Sequence, residues 1–338
     1  MPELNLQCRL AARPAGVPAA SCWEFVEAPA PELDEGHFRV QLEYLSLDPA
    51  MRGWMNDAKS YVPPVGIGEV MRAGAVGRVV DSRHPDFAVG DSVFGQFGVQ
   101  RYAVSDGRGV LTVDTSLAPA QVYLSALGMT GLTAYFGLLE IGKPQPGDTV
   151  VVSGAAGAVG SVAGQIARIK GCRTVGIAGG PDKCAWLVEE LGFDAAIDYK
   201  GGDLRAELRR HAPDGVNVYF DNVGGDTLDE VLRRLARGAR VVICGSISQY
   251  NAEQPPRGPA NYMQLLVQRA SMTGFLVFDY ADRYPEAMTQ LGRWLRDGEL
   301  ISREEVVHGG LDQFPDVFLR LFRGENTGKL ILRLDGTT

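Results

Sequence analysis

At 338 residues, with 45% hydrophobic and 22% charged side chains, the chain is long enough for two domains with separate cores, and its composition is ordinary for a soluble globular enzyme. A net charge of −8 argues against nucleic acid as a partner, because neutralising phosphates needs clustered Lys and Arg. No stretch approaches the roughly 20 apolar residues of a membrane span, and the start, M-P-E-L-N-L-Q-C-R-L, lacks the apolar core of a signal peptide, so a cytoplasmic protein is expected.

Residues 1–125 read as a β-rich domain. Phe38–Leu45 alternates like a strand, and Gly77–Asp81 and Asp91–Phe94 are further short strands between glycine and proline turns. Leu111 leads towards a helix expected over Pro119–Leu139, and Lys143–Gly147 is a turn-rich link. Val150–Gly160, V-V-V-S-G-A-A-G-A-V-G, then runs three β-branched residues into Gly154, Gly157 and Gly160, with helical spacing from Ser161 to Lys170. Strand, tight glycine turn and helix bring backbone N–H groups and a helix N-terminus against a pyrophosphate. Glycine triplets also occur as plain turns, so the context decides.

That context is repetitive. Strands expected at Arg173–Ala178, Ala195–Tyr199, Gly215–Val223, Arg240–Gly245 and Ser271–Phe278 alternate with helices at Asp182–Leu191, Leu204–Arg210 and Thr227–Ala236. The alternation predicts an α/β fold over residues 126–300: a doubly wound, parallel, six-stranded sheet with helices on both faces. Tyr284–Leu295 and Phe314–Phe322 then read as helices, and Glu304–Val307 and Lys329–Leu334 as strands. Residues 301–338 are expected to return to the β-rich domain.

The choice of dinucleotide is also readable. An NAD site places Asp or Glu at the end of the second strand to hold the ribose 2′-OH. Here that end is Ala178-Gly179-Gly180, without a carboxylate, and Lys183 follows on the next helix. A small, uncharged strand end leaves room for a 2′-phosphate, and a lysine supplies its counter-charge, so NADP is expected. Asp182 reads as an acid at a helix start, where the macrodipole favours it. The cysteines (Cys8, Cys22, Cys172, Cys184, Cys244) and the four histidines show no zinc-ligand spacing, so no metal is expected. Cys244 reads as a small core residue of its strand.

Six segments together are specific: Tyr44–Met55 (Y-L-S-L-D-P-A-M-R-G-W-M), Gly128–Leu139 (G-M-T-G-L-T-A-Y-F-G-L-L), Gly154–Ser161, Tyr219–Gly225 (Y-F-D-N-V-G-G), Cys244–Asn251 (C-G-S-I-S-Q-Y-N) and Gly324–Lys329 (G-E-N-T-G-K). Through them the chain resembles the medium-chain dehydrogenase/reductase superfamily over nearly its whole length. Within it, the chain is similar to the zinc-free branch of NADP-dependent double-bond reductases: leukotriene and prostaglandin reductases, plant alkenal reductases and bacterial curcumin reductases. The resemblance implies a GroES-like catalytic domain, a Rossmann domain and NADP(H). Gly157, Ala158, Val159 and Gly160 would line the pyrophosphate, Lys183 would meet the 2′-phosphate, and Tyr199 would lie near the adenosine. Asn222 would contact ribose or nicotinamide, and Cys244, Gly245, Ser246, Ile247, Ser248 and Tyr250 would run along the cofactor. Phe275, Leu276 and Val277 would offer main-chain groups to the carboxamide, and Asn326 would reach in from the tail. The other reading of Asn222 and Asn326 is that they cap turns.

The implied reaction is metal-free reduction of the C=C bond of a small α,β-unsaturated ketone or aldehyde, by hydride transfer to the β-carbon. Tyr250 is the first hydroxyl expected to shape the site. Tyr61 is the second, with an ordinary surface tyrosine as its other reading. Where zinc-dependent members carry a Cys and a Gly-His-Glu segment, this chain has Asp48-Pro49-Ala50 and Ile67-Gly68-Glu69. It also departs from the branch: Ala50 replaces the tyrosine of D-P-Y-M-R, and Thr130 replaces the proline of M-P-G. Arg52 is expected to pair with a carboxylate such as Asp48. An NADPH:quinone oxidoreductase and a catalytically inactive NADPH-binding regulator remain alternatives on the same fold. A homodimer through the apolar sixth strand is expected.

Overall fold

Alternating burial organises the start of the chain in the computed structural model, which describes residues 4–335. β1 (Leu4–Leu10) pairs antiparallel with β2 (Trp23–Pro29), Leu10 opposite Trp23. No strand was expected before Phe38. β1 buries Asn5 as well as Cys8 and Leu10. The Asn5 side-chain amide bonds both backbone groups of Tyr102, at 2.8 and 2.9 Å, so a polar residue acts as a sheet partner there. β3 (Phe38–Ser46) turns Phe38, Val40 and Leu42 inward, as its alternation predicts. It leads through Asp48-Pro49 to a short helix, α1 (Ala50–Trp54). β4 (Ala75–Ser82), β5 (Ser92–Gly95), β6 (Tyr102–Ser105) and β7 (Leu111–Thr112) follow.

The single helix expected over Pro119–Leu139 is divided. A 3-10 turn covers Ala120–Leu124, and α2 (Met129–Phe136) starts afresh after Gly128 and runs on as a π-helical turn over Gly137–Gly142. The break is built from Ser125. Its carbonyl accepts the Gly131 N–H and the Thr130 hydroxyl, both at 3.0 Å, and a Cβ on Gly131 would stand 1.9 Å from Ala126 O. Thr130 therefore ties the start of α2 to this turn.

The alternating α/β part then runs β8 (Thr149–Ser153), α3 (Ala158–Ile169), β9 (Arg173–Ala178), α4 (Pro181–Glu189), β10 (Ala195–Asp198), α5 (Leu204–His211), β11 (Val216–Asp221), α6 (Gly225–Leu232) and β12 (Leu235–Ile243). An additional helix, α7 (Met263–Gln268), precedes β13 (Ser271–Gly274), and α8 (Tyr284–Arg296) closes the series. The sheet order is β10-β9-β8-β11-β12-β13, every pair parallel. Val150, Val151 and Val152 on central β8 are fully buried, which a β-branched run between two helical layers requires. β13 is half the length expected. After Gly274 the chain leaves the sheet and the Phe275 ring packs where a Cβ on Gly137 would stand, 2.3 Å away. The helix expected to reach Ala236 stops at Leu232, because β12 begins at Leu235 opposite Val216 and shifts register before Arg240 meets Val218.

β14 (Glu304–Gly309), α9 (Phe314–Arg323) and β15 (Lys329–Leu334) rejoin the first strands in the order β14-β15-β3-β4-β5-β7, with β6 also on β3. The chain thus forms two units, one of residues up to Leu124 and from Glu304 on, the other Ser125–Arg303. Phe314 and Phe318 bury their rings against Trp23 in the first core. No helix among the described residues is long and apolar enough to cross a membrane.

The closing strand is pinned by a buried cation. Lys329 is 1% exposed; its ammonium donates to Leu47 O at 2.8 Å and to Asp48 Oδ1 at 2.5 Å. Ser46 Oγ donates to the other Asp48 oxygen. Asp48 is therefore partnered by Lys329 and not by Arg52, whose guanidinium reaches Gly16 O at 2.9 Å and Asn56 Oδ1 at 2.6 Å. The expected Arg52–Asp48 pair is corrected accordingly: α1 turns Arg52 away towards carbonyls of the loop before β2. Removing Asp48 would leave the buried Lys329 ammonium without its counter-charge. Asp48→Ala is expected to cost about 3 kcal/mol in urea unfolding, well above an exposed Asp→Ala change.

Candidate cofactor and active site

The glycine turn has the shape a pyrophosphate needs. Gly154 takes a left-handed conformation (φ +58°), and Gly157 is extended immediately before α3. No side chain caps α3, so Ala158, Val159 and Gly160 present first-turn N–H groups that a bound anion can satisfy. A Cβ on Gly160 would stand 2.3 Å from Gly154 O, so the helix start lies directly on the turn. The cradle exists only because these positions are bare.

At the end of β9, where the carboxylate is missing, a Cβ on Gly179 would come within 2.9 Å of the Tyr199 ring and of Lys200 Cε, so a side chain there would have to displace both. Gly180 (φ +98°) begins α4, with Asp182 and half-buried Lys183 in its first turn. Tyr199, just past β10, is 48% exposed. The structure therefore sets the Tyr199 ring over the bare strand end, with Lys183 in the helical turn that follows it.

The ends of β8, β11 and β12 meet where the strand order reverses, the place at which open α/β sheets bind ligands. Asp221, 1% exposed, organises this region. Its Oδ1 accepts from Ser153 Oγ and Tyr219 OH, both at 2.8 Å, and from the N–H groups of Val223 and Gly224, both at 3.0 Å. Asn222 donates its backbone N–H to Ser153 Oγ and its side-chain N–H to Ser153 O at 2.7 Å. Asn222 therefore ties β11 to β8 with one half of its amide. Sequence reading missed Ser153 and Asp221, although a serine and an aspartate ending buried apolar strands were the available signal.

Cys244–Tyr250 is laced to the same loop. The N–H groups of Cys244 and Gly245 donate to Asp221 O and that of Ile247 to Asn222 O, while Val223 O accepts both the Ser248 N–H and the Ser248 hydroxyl. Cys244 lies one residue beyond β12 and is half-buried, not inside the strand as expected. Burial, reinforced by Asp221, pushes its thiol up to about 12, so it is not a thiolate near neutral pH. The Tyr250 hydroxyl oxygen accepts the Ser246 N–H at 3.2 Å, and a Cβ on Gly245 would crowd it at 2.9 Å. Phe275 and Leu276 are half-buried and Val277 is buried. The carbonyls of Leu276 and Val277 already accept from Asp279 N and Tyr284 OH, each retaining a second lone pair.

Two candidates belong to the other unit. Tyr61 is 48% exposed, and its hydroxyl accepts the Trp54 indole N–H at 3.4 Å. Arg72 stacks on that indole, 5.4 Å from the ring centre. Ala50 and Trp54 are one helical turn apart on α1, so the indole neighbours the place left without a phenol. Asn326 spends its side-chain N–H on Gly328 O at 2.9 Å, a turn contact. Among the described residues, no three His, Cys, Asp or Glu side chains lie together as a metal ion would require.

Two family models match the chain: an N-terminal domain of oxidoreductase over residues 6–113 and a zinc-binding dehydrogenase over residues 158–293. An Escherichia coli NADPH-dependent curcumin reductase is 41% identical over 99% of this chain and 98% of its own. A tobacco (Nicotiana tabacum) NADP(+)-dependent 2-alkenal reductase is 40% identical over 86% and 84%. The crystal structure of CurA from Vibrio vulnificus in complex with NADPH superposes with a TM-score of 0.93 at 44% identity, covering 98% of this chain and 99% of that one. The geometry of the glycine turn makes one substitution decisive. Gly160→Ala is expected to weaken NADPH binding at least about tenfold by fluorescence titration, since the methyl group must push α3 off the turn.

Proposed function

The chain belongs to the medium-chain dehydrogenase/reductase superfamily, among its NADP-dependent double-bond reductases, and we propose that it reduces the C=C bond of α,β-unsaturated ketones and aldehydes with NADPH. The observation that carries this reading is the bare Gly154–Gly160 turn under uncapped α3, together with a β9 end that carries no ribose-binding carboxylate and is overlaid by Tyr199 and Lys200. Gly157–Gly160 would hold the pyrophosphate and Lys183 and Tyr199 the 2′-phosphate end. Asn222, the Cys244–Tyr250 segment and Phe275–Val277 would line the nicotinamide half, with Asn326 reaching the cofactor from the tail. When bound, NADPH supplies a hydride to the β-carbon of the substrate.

The chain's own work is then to handle charge and a proton. The electron pair displaced from the double bond comes to rest on the carbonyl oxygen, and a proton is added at the α-carbon. A hydroxyl donor already held near that oxygen lowers the barrier by about 3 kcal/mol, because no solvent has to reorient. Tyr250 is the first donor, since its own loop fixes the position of its oxygen beside the segment that follows β12. Tyr61 is the second, and beside Ala50 it would take over the work of the absent phenol.

NADPH oxidation at 340 nm with a 2-alkenal, an aryl enone, a quinone and a saturated ketone tests the reaction. Turnover of the two enones with NADPH, and little with the saturated ketone, is expected. Turnover confined to the quinone, or none at all, would sink the reading. Tyr250→Phe is expected to lower kcat with the enone about a hundredfold while moving KM for NADPH little.

We also propose a homodimer working in the cytoplasm. All five cysteines are free thiols, in keeping with a reducing compartment. Tyr262, Met263, Leu266 and Val267 on and beside α7 expose apolar surface, as does Met272 of β13. The outer edge of β13 has no partner strand among the described residues. A patch of this kind beside an open sheet edge favours self-association. Sedimentation velocity should show a dimer that Leu266→Asp converts to monomer; an unaltered chain that sediments as a monomer at micromolar concentration contradicts it.

A further inference from the structure

The end of β9 carries a cation that no motif singles out. Lys200 follows Tyr199 beyond β10, and its stem lies across the strand end: a Cβ on Gly179 would stand 2.9 Å from Lys200 Cε. The residue is exposed, and its positive charge acts on the neighbouring Asp198 carboxylate. One carboxylate oxygen fixes this arrangement. Asp198 Oδ1 accepts the backbone N–H of Gly180 at 2.8 Å and that of Lys200 at 2.9 Å. Gly180 is the residue from which α4 starts, and α4 carries Lys183 in its first turn. Two lysines on two separate elements are therefore referred to a single oxygen atom. The N–H groups of Gly180 and Lys200 also hold the Asp198 carboxyl below its usual range, so the clasp stays ionised near neutral pH.

We infer that Lys200 is a specificity-determining residue, a second positive charge beside Lys183 for the 2′-phosphate, with Asp198 as the residue that positions both. The inference rests on the NADPH reading above. A phosphate dianion on an open surface is poorly served by one lysine, because a single flexible ammonium is a screened point charge. Two ammonium groups converging from different elements share the dianion, and neither has to be buried. The carboxylate of Asp198 keeps its charge, whose field the two N–H dipoles and the Lys200 ammonium offset in part. It thereby differs from a ribose-binding carboxylate, which keeps its acceptor oxygens for the 2′- and 3′-hydroxyls.

Calorimetric titration of the full chain with 2′,5′-ADP and with 5′-AMP isolates the 2′-phosphate, by which alone the two probes differ. Lys200→Ala is expected to weaken 2′,5′-ADP about tenfold and 5′-AMP less than about twofold, the scale of one charge-assisted hydrogen bond. Lys200→Arg should retain most of the 2′,5′-ADP affinity. Asp198→Ala should weaken 2′,5′-ADP by a similar factor, whereas Asp198→Asn, whose amide oxygen still accepts, should keep it. Thermal melts of each variant separate these effects from loss of the fold. A folded Lys200→Ala variant with the unaltered preference for 2′,5′-ADP overturns the inference and leaves the NADPH reading standing. An unaltered chain with no preference for 2′,5′-ADP over 5′-AMP overturns both.

Discussion

A single oxygen atom, Oδ1 of Asp221, carries the ligand-facing end of the second unit. Four donors converge on it: two hydroxyls from within the sheet and two N–H groups from the loop that leaves β11. A buried carboxylate is stable only when donors replace the water it has lost. The dependence runs both ways, since the loop conformation that supplies those N–H groups is held in turn by the oxygen that accepts them. That conformation sets Asn222 against Ser153, and the Asn222 and Val223 carbonyls then receive the segment after β12. The start of the glycine turn after β8, Asn222 and the Tyr250 loop are thus tied together through one oxygen that four donors share.

The first unit solves a similar problem with the opposite sign. Lys329 brings an ammonium into a fully buried place at the start of the closing strand, and Leu47 O and Asp48 answer it. Desolvation holds its pKa down while Asp48 pulls it back up, the signature of a charge kept buried by its partner. The geometric result matters more than the energy. β15 is registered against β3, Ile331 opposite Ser46, at the point where β3 gives way to α1 and Trp54. The tail that carries Asn326 and the loop that carries Ala50 cannot shift independently.

Legibility in the sequence followed the range of the interactions. β9 and β15 have the boundaries that their apolar runs predict, because a strand buried on both faces is written in consecutive residues. The glycine turn and the bare β9 end were readable for the same reason: turn, helix and strand end each lie within a few residues. The helix over Pro119–Leu139 was not readable as two pieces, since the break depends on Ser125 O accepting from Thr130 and Gly131 and on a close approach to Ala126. Apolar residues on either side kept helical spacing across it. β13 misled for a related reason. Phe275 belongs to an apolar run but packs on Gly137, far away in the chain. Ser153 with Asp221, and Lys329 with Asp48, are 68 and 281 residues apart, and no local pattern announces a partner at that distance.

Burial separates two kinds of polar residue in this chain, and the separation bears on how its chemistry is arranged. Ser153, Asp221 and Lys329 are almost wholly shielded and spend their hydrogen bonds on protein groups. Tyr61, Tyr199 and Lys200 are exposed, and Lys183 and Tyr250 are half-buried. A side chain that binds a ligand has to be accessible before the ligand arrives, so it cannot also anchor a core. A side chain that fixes a loop has to be dry, or water competes for its bonds. Replacing an accessible residue should therefore change which ligand is preferred, while replacing a shielded one should move several ligand-facing groups at once. The absence of the phenol at Ala50 fits this division. α1 still has Asp48 and Lys329 fixing the chain just before it, so the position can lose its side chain without losing its place, and the neighbouring Trp54–Tyr61 pair is left to define that surface.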